Sequence, residues 1–415
     1  MIRKPRTVLA AAAAVATVLL AAGCGSSGSG GSTAGATGAA TNKTITVGVI
    51  ADMTGAAASG NKSVVEGVKA GTYYASRNGY TIKYIVGDTA TNPATALAVA
   101  QKFVTQDHVF AVLANSSLLF AAAPYLTAHN VPVIGAAEDG PEWITSKNMY
   151  SIFGALQTTK VATTMGKFFK MEGVTSLGVA AYSLPIASES GAAAAASAEA
   201  AGIKVGYLNA KVTLGSDVAP IVLAMKNAKV DGIVMQMDPD TAFGIIKGLR
   251  DQGVNLKAAL LPTGYGGDLL QAGPGALAAA QNVYFLSGYE LMEMGTPATK
   301  SFAADLKSAG VNGTPAYGMY NGYVSVGLLV QGLKAAGANP TSASLLTALS
   351  GIHDFTALGL YGSHKLDIND RENIVAGADN CQWIAKLEGS TFKPVPNAIP
   401  VCGDIVPGKT VSAAT

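Results

Sequence analysis

The feature that most constrains the fold is a regular alternation, from Thr44 onward, between short runs rich in β-branched residues and longer alanine-rich stretches with helical spacing. Strands that are apolar on both faces are typical of parallel sheets buried between helices. The alternation therefore predicts an α/β fold. The predicted strands are 45–51, 81–86, 110–113, 132–135, 177–181, 204–208, 232–236, 258–262 and 382–386. The predicted helices are 64–77, 94–105, 118–128, 161–171, 190–201, 218–227, 241–252 and much of 297–337.

The number of strands is too large for one sheet, and the pattern starts again after Gly154. We therefore expect two doubly wound parallel-sheet lobes. Ser216 and Asp240 are expected to cap the helices that follow them, because a side-chain oxygen at a helix start accepts from a free backbone N–H group. Three tyrosines spaced for one side of a helix are interpreted as core packing: Tyr317, Tyr320 and Tyr323.

The N-terminus has the pattern of an export signal. Three basic residues within 3–6 precede an uncharged apolar run over 7–22 that is too short and too rich in alanine for a comfortable membrane span. The sequence Leu-Ala-Ala-Gly-Cys at 20–24 resembles a bacterial lipobox, which implies removal of 1–23 and a lipid on Cys24. The Gly/Ser-rich segment that follows, within 24–43, is predicted to be a flexible tether.

The charge balance excludes several classes of protein. The chain carries 28 lysine and arginine residues against 26 acidic residues, and 49% of its residues are hydrophobic. Without the three basic residues of the signal, the net charge of +2 becomes −1. A nucleic-acid binder would show a basic excess, and a disordered chain would be less hydrophobic. Binding to nucleic acid is therefore not expected.

Two cysteines remain once Cys24 is assigned to lipidation. Cys381 and Cys402 are predicted to form one disulfide, since an exported protein folds in an oxidising compartment. A metal site is the alternative, but the four histidines are scattered and have no ligand spacing around either cysteine. No metal or cofactor is expected.

Catalytic motifs are weak in this chain. The segment GDIVPGKT at 403–410 matches a phosphate-binding loop letter by letter, but only five residues follow it, too few for the helix that such a loop requires. No Gly-x-Ser-x-Gly nucleophile motif occurs. Residues 401–415 are interpreted as a C-terminal tail, and the protein is not expected to be an enzyme. An exported hydrolase remains a distant alternative based on isolated carboxylates.

An ordered series of segments resembles the type I periplasmic binding proteins, in particular the leucine/isoleucine/valine-binding branch of ABC-transporter receptors. The segments are DTATNP at 88–93, VFAV at 109–112, NSS at 115–117, NVPVI at 130–134, GPE at 140–142, DGIV at 231–234 and 256–262. The resemblance implies two flavodoxin-like lobes joined by three crossovers, with a ligand cleft between them. It places lobe 1 at 44–154 with 288–362, and lobe 2 at 155–287 with 363–400.

The resemblance also implies positions for ligand contacts. A serine that holds the ligand carboxylate with its hydroxyl and amide falls on Ser116, and the next loop supplies the carbonyl of Ala137. Three other family contacts are missing here. The position of the family's lid aromatic falls near Ser59, that of a tyrosine falls on Ile186, and that of an acidic residue falls on or beside Gly264 and Tyr265. The complete expected set is Ser59, Ser116, Ser117, Ala137, Asp139, Tyr182, Ile186, Asp238 and Tyr265.

A ligand ammonium would have to use Asp139 or Asp238. Asp139 has a second interpretation, as a cap of the turn before Pro141. The resemblance implies a monomeric, lipid-anchored receptor on the extracytoplasmic face of the membrane. It would deliver a small polar ligand, of amino-acid or amide type, to an ABC permease with a cytoplasmic ATPase. The alternative is a sensor of the same fold that is coupled to a membrane signalling partner.

Overall fold

The structure is a computed structural model that describes residues 42–138, 140–267, 269, 275–375 and 377–413. The predicted signal, Cys24, most of the tether and Asp139 lie outside the described residues. No helix in the described part of the chain combines the length and the apolar character needed to cross a membrane.

The first sheet is wholly parallel and has the strand order β2-β1-β3-β4-β5, which is the flavodoxin-like order. Its strands form at apolar runs, and β3 and β4 are buried along their whole length, as parallel strands covered on both faces must be. The strands are β1 (Lys43–Ala51), β2 (Tyr80–Asp88), β3 (Ala111–Asn115), β4 (Val133–Gly135) and β5 (Met149–Ser151).

The second sheet has the order β13-β12-β11-β10-β9-β7-β8, with β14 paired to β12. Strands β7 to β11 are parallel, whereas β12, β13 and β14 add antiparallel pairs at one edge. A separate antiparallel pair joins β6 to β15. The strands are β6 (Lys160–Ala162), β7 (Ser176–Tyr182), β8 (Lys204–Val212), β9 (Gly232–Gln236), β10 (Ala258–Leu261), β11 (Tyr284–Ser287), β12 (Cys381–Glu388), β13 (Thr391–Pro394), β14 (Val401–Cys402) and β15 (Ile405–Thr410).

Helices connect the strands of both sheets. They are α1 (Ala58–Asn61), α2 (Val64–Arg77), α3 (Pro93–Thr105), α4 (Ala123–Ala128), α5 (Glu142–Thr145), α6 (Thr164–Met171), α7 (Pro185–Ala200), α8 (Ala219–Asn227), α9 (Pro239–Asp251), α10 (Ala276–Ala279), α11 (Pro297–Ser308), α12 (Tyr317–Ala335) and α13 (Ser342–Leu349). The start of α3 shows why such boundaries form. Asn92 accepts from the N–H groups of Ala94 and Thr95, and Pro93 takes the first helical position, where no N–H donor is needed.

Two predicted caps are wrong. The structure begins α8 at Ala219, and Asp217 rather than Ser216 accepts the N–H of Ala219. The N-cap of α9 is Asp238, which accepts the N–H of Thr241, and Asp240 lies inside the helix. Both helices have a proline at the first or second helical position. Asp238 caps α9 from an extended backbone, whereas the N-cap residue of α8, Val218, makes no side-chain cap bond.

The chain passes between the two sheets three times, after β5, after β11 and before β12. Helices α11 and α12 pack on α2 and so belong with the first sheet. A Cβ at Gly67 would lie 2.0 Å from the Met319 carbonyl oxygen, so only glycine permits the close approach of α2 and α12. We call the first sheet with its helices lobe 1 and the second sheet with its helices lobe 2. The two-lobed α/β architecture is the one that the alternating pattern predicted.

Aromatic rings pack where the chain crosses between lobes. Tyr289 stacks on Tyr361 with ring centroids 5.6 Å apart, and Phe153 lies 5.3 Å from Tyr289. One ring comes from each of the three crossings.

At the edge of lobe 2, a disulfide joins Cys381 to Cys402, the pairing that the sequence predicted. The segment 403–410, which matches a phosphate-binding loop letter by letter, contains β15, and no helix follows it among the described residues.

Candidate functional site

A cavity of about 260 Å³ lies between the two lobes. Its wall is built from loops at the carboxyl ends of parallel strands, which is where open α/β sheets bind ligands. Lobe 1 contributes residues after β3 and β4, and lobe 2 contributes residues at the ends of β7 and β9. The polar residues of the wall include Asn61, Ser117, Glu138 and Tyr317 from lobe 1, and Tyr182, Ser190, Gln236, Asp238, Thr263 and Gln382 from lobe 2.

Asp52 is the centre of a buried hydrogen-bond cluster behind the lobe 1 wall. Its side chain is 0% exposed. The Ser116 hydroxyl donates to one carboxylate oxygen at 2.7 Å, and the backbone N–H of Ser117 donates to the other at 2.9 Å. The Thr89 hydroxyl and the Asn61 amide complete four bonds. Such a set satisfies a buried carboxylate, which is costly to leave unpaired.

Glu138 lies beside Asp52 and shares donors with it. The Asn61 amide nitrogen is 2.9 Å from Asp52 Oδ2 and 3.0 Å from Glu138 Oε2. Ser117 also contacts both carboxylates, through its N–H and its hydroxyl. Asn115 donates to the second oxygen of Glu138 at 2.8 Å. Two carboxylates are therefore held together by neutral donors at the cavity wall.

Asp238 is the acidic residue of the lobe 2 wall. It caps α9 through the Thr241 N–H at 3.1 Å and accepts from the hydroxyls of Thr241 and Tyr182. Burial, with the neighbouring Asp238 charge, raises the pKa of Tyr182 far above its usual value, so this phenol stays protonated and donates. The contacts fix the Asp238 carboxylate in one orientation at the cavity.

The rest of the wall is largely apolar. Phe153, Leu156, Met165, Ile186, Leu214, Met237 and Leu286 contribute side chains. Among the described lining residues, none is a lysine, arginine or histidine. The charged groups of the described wall are thus the two carboxylates of Glu138 and Asp238. The arrangement can bind a small ligand between an apolar surface and two oriented acids.

Five of the predicted site residues line this cavity: Ser117, Ala137, Tyr182, Ile186 and Asp238. Three others do not. The Ser116 hydroxyl is engaged by Asp52, and Ser59 is buried within α1 beside the wall. Tyr265 is 2% exposed, and its hydroxyl donates to Glu293. Burial, with this neighbouring carboxylate, raises the pKa of Tyr265 well above its usual value. Asp139 lies outside the described residues.

Several wall residues were missed by sequence reasoning. Asn61 and Glu138 carry much of the polar chemistry, and Tyr317 lines the cavity rather than only the core. Glu138 has a signal that could have found it, because it lies three residues after the buried strand β4 and next to the predicted Ala137. Asn61 lies in a four-residue helix, which leaves no periodic signal.

A family model described as periplasmic binding protein matches residues 44–391. The chain belongs to the periplasmic binding proteins. The match covers both lobes and so includes every described residue of the cavity wall. No curated protein matches the sequence.

Solved structures of periplasmic binding proteins share the fold. A Rhodopseudomonas palustris solute-binding protein in complex with 4-hydroxybenzoate is 19% identical, with a TM-score of 0.71 over 85% of this chain and 96% of its own. The Thermotoga maritima leucine-binding protein is 16% identical, with a TM-score of 0.70 over 85% and 97%. The Streptococcus pneumoniae branched-chain amino acid protein in complex with isoleucine is 19% identical, with a TM-score of 0.69 over 88% and 99%. At such identities, the likeness establishes the fold alone.

Proposed function

We propose that this protein is an extracytoplasmic receptor that is anchored by a lipid on Cys24 and delivers a small polar ligand to an ABC importer. The observation that carries the proposal is the cavity between the lobes, whose wall combines oriented carboxylates with apolar side chains from both lobes. The family match supports solute binding, and the relatives named above bind carboxylic acids or amino acids. For this chain, we expect a metabolite of amino-acid or amide type.

Binding would stabilise the closed arrangement of the lobes. A ligand that contacts Glu138 of lobe 1 and Asp238 of lobe 2 makes its full set of contacts only when the two lobes are together. It therefore shifts the population toward the closed state by its differential affinity. The permease would recognise that state, and no bond in the ligand would be made or broken.

Lys62 of lobe 1 also interacts electrostatically with Asp240 of lobe 2, and both residues lie outside the cavity wall. Burial and the neighbouring Asp238 raise the pKa of Asp240 at the start of α9, and the positive charge of Lys62 from lobe 1 partly offsets this rise. The short helix α1 of lobe 1 packs against α9 of lobe 2. Contacts of this kind form when the lobes close and break when they open, and they support the proposed closure around the ligand.

The receptor function is tested with the mature chain carrying Cys24→Ser, which removes the acceptor for lipid. We expect at least one member of a panel of amino acids, amides, ureas, amines and aromatic acids to raise the melting temperature and to reduce the radius of gyration. The same ligand should bind far more weakly when Ile186→Trp fills the cavity. A panel that produces neither change would contradict the receptor function.

The anchor is tested separately, in the host cell. The wild-type protein should fractionate with membranes, and Cys24→Ser should appear in the soluble extracytoplasmic fraction. A membrane-bound Cys24→Ser protein would contradict lipid anchoring without affecting the ligand-binding proposal.

A further inference from the structure

A carboxylate of this chain already engages the serine that the resemblance assigns to a ligand carboxylate. Asp52 accepts from the Ser116 hydroxyl, one of the two donors that the resemblance assigns to a ligand carboxylate, and from the backbone N–H of the next residue, Ser117. Asp52 is fully buried, directly follows β1 and accepts four hydrogen bonds, which hold its carboxylate in this position. A ligand carboxylate therefore has no place at these donors.

The charge of the wall opposes an anion elsewhere in the cavity. A ligand carboxylate would meet Glu138 and Asp238, and behind Glu138 lies Asp52, which shares the Asn61 and Ser117 donors. Like charges placed a few ångströms apart in a partly buried site repel strongly, whereas a cation placed there is attracted by all of them. The described wall supplies no positive side chain that would compensate an anionic ligand.

An unpaired acceptor in the wall also indicates a ligand with a donor. Gln382 Oε1 is buried on the lobe 2 side and has no hydrogen-bond partner among the described residues. The Thr263 hydroxyl also has no partner there, but it can donate as well as accept. An amide oxygen only accepts, so its bond must come from an N–H or O–H group. A buried polar atom without a partner costs free energy, which a bound donor would recover.

We propose that the ligand is an organic cation with an ammonium group, a compact apolar body and no free carboxylate. This inference rests on the proposed receptor function and narrows its ligand class. The ammonium lies against Glu138 and Asp238, where charge-assisted hydrogen bonds form on oriented oxygens. The apolar body packs on side chains such as Phe153, Met165 and Leu286. A carboxylate beside the ammonium, as in a free amino acid, is repelled by Glu138 and Asp238 and offsets the attraction of the ammonium.

The test uses two ligand series, each of which keeps one apolar body and varies the ammonium, amide and carboxylate groups attached to it. The first is 3-methylbutylamine, leucinamide, leucine and 4-methylpentanoate, and the second is 2-phenylethylamine, phenylalaninamide, phenylalanine and 3-phenylpropionate. Affinities are measured by calorimetry on the mature Cys24→Ser protein in phosphate buffer, because an amine buffer would compete. We expect the amines or amino-acid amides to bind at least about tenfold more tightly than the matched amino acid and acid.

Isosteric variants locate the charge that is recognised. Glu138→Gln and Asp238→Asn should each weaken cation binding by about 10- to 100-fold, the effect expected for a hydrogen bond to a charged group. Asparagine is also a good N-cap, so Asp238→Asn should keep α9 folded. Glu66→Gln, which removes an exposed charge on α2, is the matched control and should leave affinity unchanged.

The outcomes separate the two proposals. Tighter binding of the acids or free amino acids than of their matched cations would overturn the cation inference and leave the receptor function intact. Equal loss of affinity in Glu66→Gln and Glu138→Gln would also overturn it, because the effect would then be general electrostatics. If no cation, amide, zwitterion or acid of either series or of the broader panel binds, both proposals fail.

Discussion

Asp52→Ala is the most informative single change to lobe 1. The substitution removes a carboxylate that accepts four hydrogen bonds and leaves two hydroxyls, one amide and one backbone N–H without that partner in a buried site. At about 1 kcal/mol of net stability for each bond, the free energy of unfolding should fall by about 4 kcal/mol. This is a large fraction of the roughly 5–15 kcal/mol that stabilises a domain. Urea unfolding, followed by fluorescence, measures the loss.

The same variant offers a test by chemical rescue. The hole beside Ser116 and Ser117 should accept a small external carboxylate, and binding only to the folded state stabilises it. With a Kd of about 10 mM, formate at about 100 mM should restore about 1.4 kcal/mol. Chloride at equal ionic strength should not, and neither should formate added to Asp251→Ala, which changes an exposed aspartate of α9.

Two results would refute the role assigned to Asp52. Unchanged stability of Asp52→Ala would show that the four bonds contribute nothing net. Equal stabilisation of Asp52→Ala and Asp251→Ala by formate would show a general salt effect rather than occupation of the vacated site.

Three further predictions concern stability. Reduction or replacement of Cys381 and Cys402, which are 21 residues apart, should lower the free energy of unfolding by about 3 kcal/mol, whereas a loss below about 0.5 kcal/mol would contradict the loop-closure argument. Although burial opposes it, hydrogen bonds led by that from Lys257 lower the pKa of Asp231 to about 2. Asp231 should therefore stabilise the fold by about 2 kcal/mol above its unfolded pKa of 3.8, and this stabilisation should be lost as the pH falls toward 2. The measurement is the difference in the free energy of unfolding between wild type and Asp231→Asn as a function of pH, and a difference that does not change with pH would contradict the prediction. Arg371→Lys should lower the free energy of unfolding by about 1–3 kcal/mol, because a lysine cannot reproduce the planar donors that bond four backbone carbonyls of lobe 1. Urea unfolding measures the loss, and an unchanged midpoint would contradict the prediction.

The sheets could be predicted from the sequence because their signal is local. Strand β9 forms where the apolar run predicted it, at 232–236, and the other eight predicted strands differ from their predicted ranges by one to four residues at an end. The remaining strands of the structure, β5, β6, β11, β13, β14 and β15, were not predicted. Helix starts were less accurate. The helix predicted at 190–201 begins at Pro185 in the structure. Proline is favourable at the first helical position, but the spacing of apolar residues, on which the prediction was based, gives no information about it.

The binding site was predicted less completely because its chemistry depends on distant contacts. Asp52 reaches Ser116 from 64 positions away, so no local pattern shows that the serine is engaged. Ser117 and Asp238 follow strands β3 and β9, and Ile186 lies in the first turn of α7. All three line the cavity because the topology brings these segments together, and their role as ligand contacts stays a prediction. Which side chains then pair with each other, as Asn61 does with Glu138, depends on packing that the sequence does not encode locally.

A crystal structure of the mature protein with its tightest-binding cation tests the central claim most directly. The account predicts ligand density between the lobes, with the ammonium nitrogen at hydrogen-bond distance from the carboxylate of Glu138 or Asp238, and with Asp52 still bonded to Ser116 and Ser117. Density outside the cavity would contradict the account. So would a bound carboxylate on the Ser116 hydroxyl and the Ser117 N–H, with Asp52 displaced.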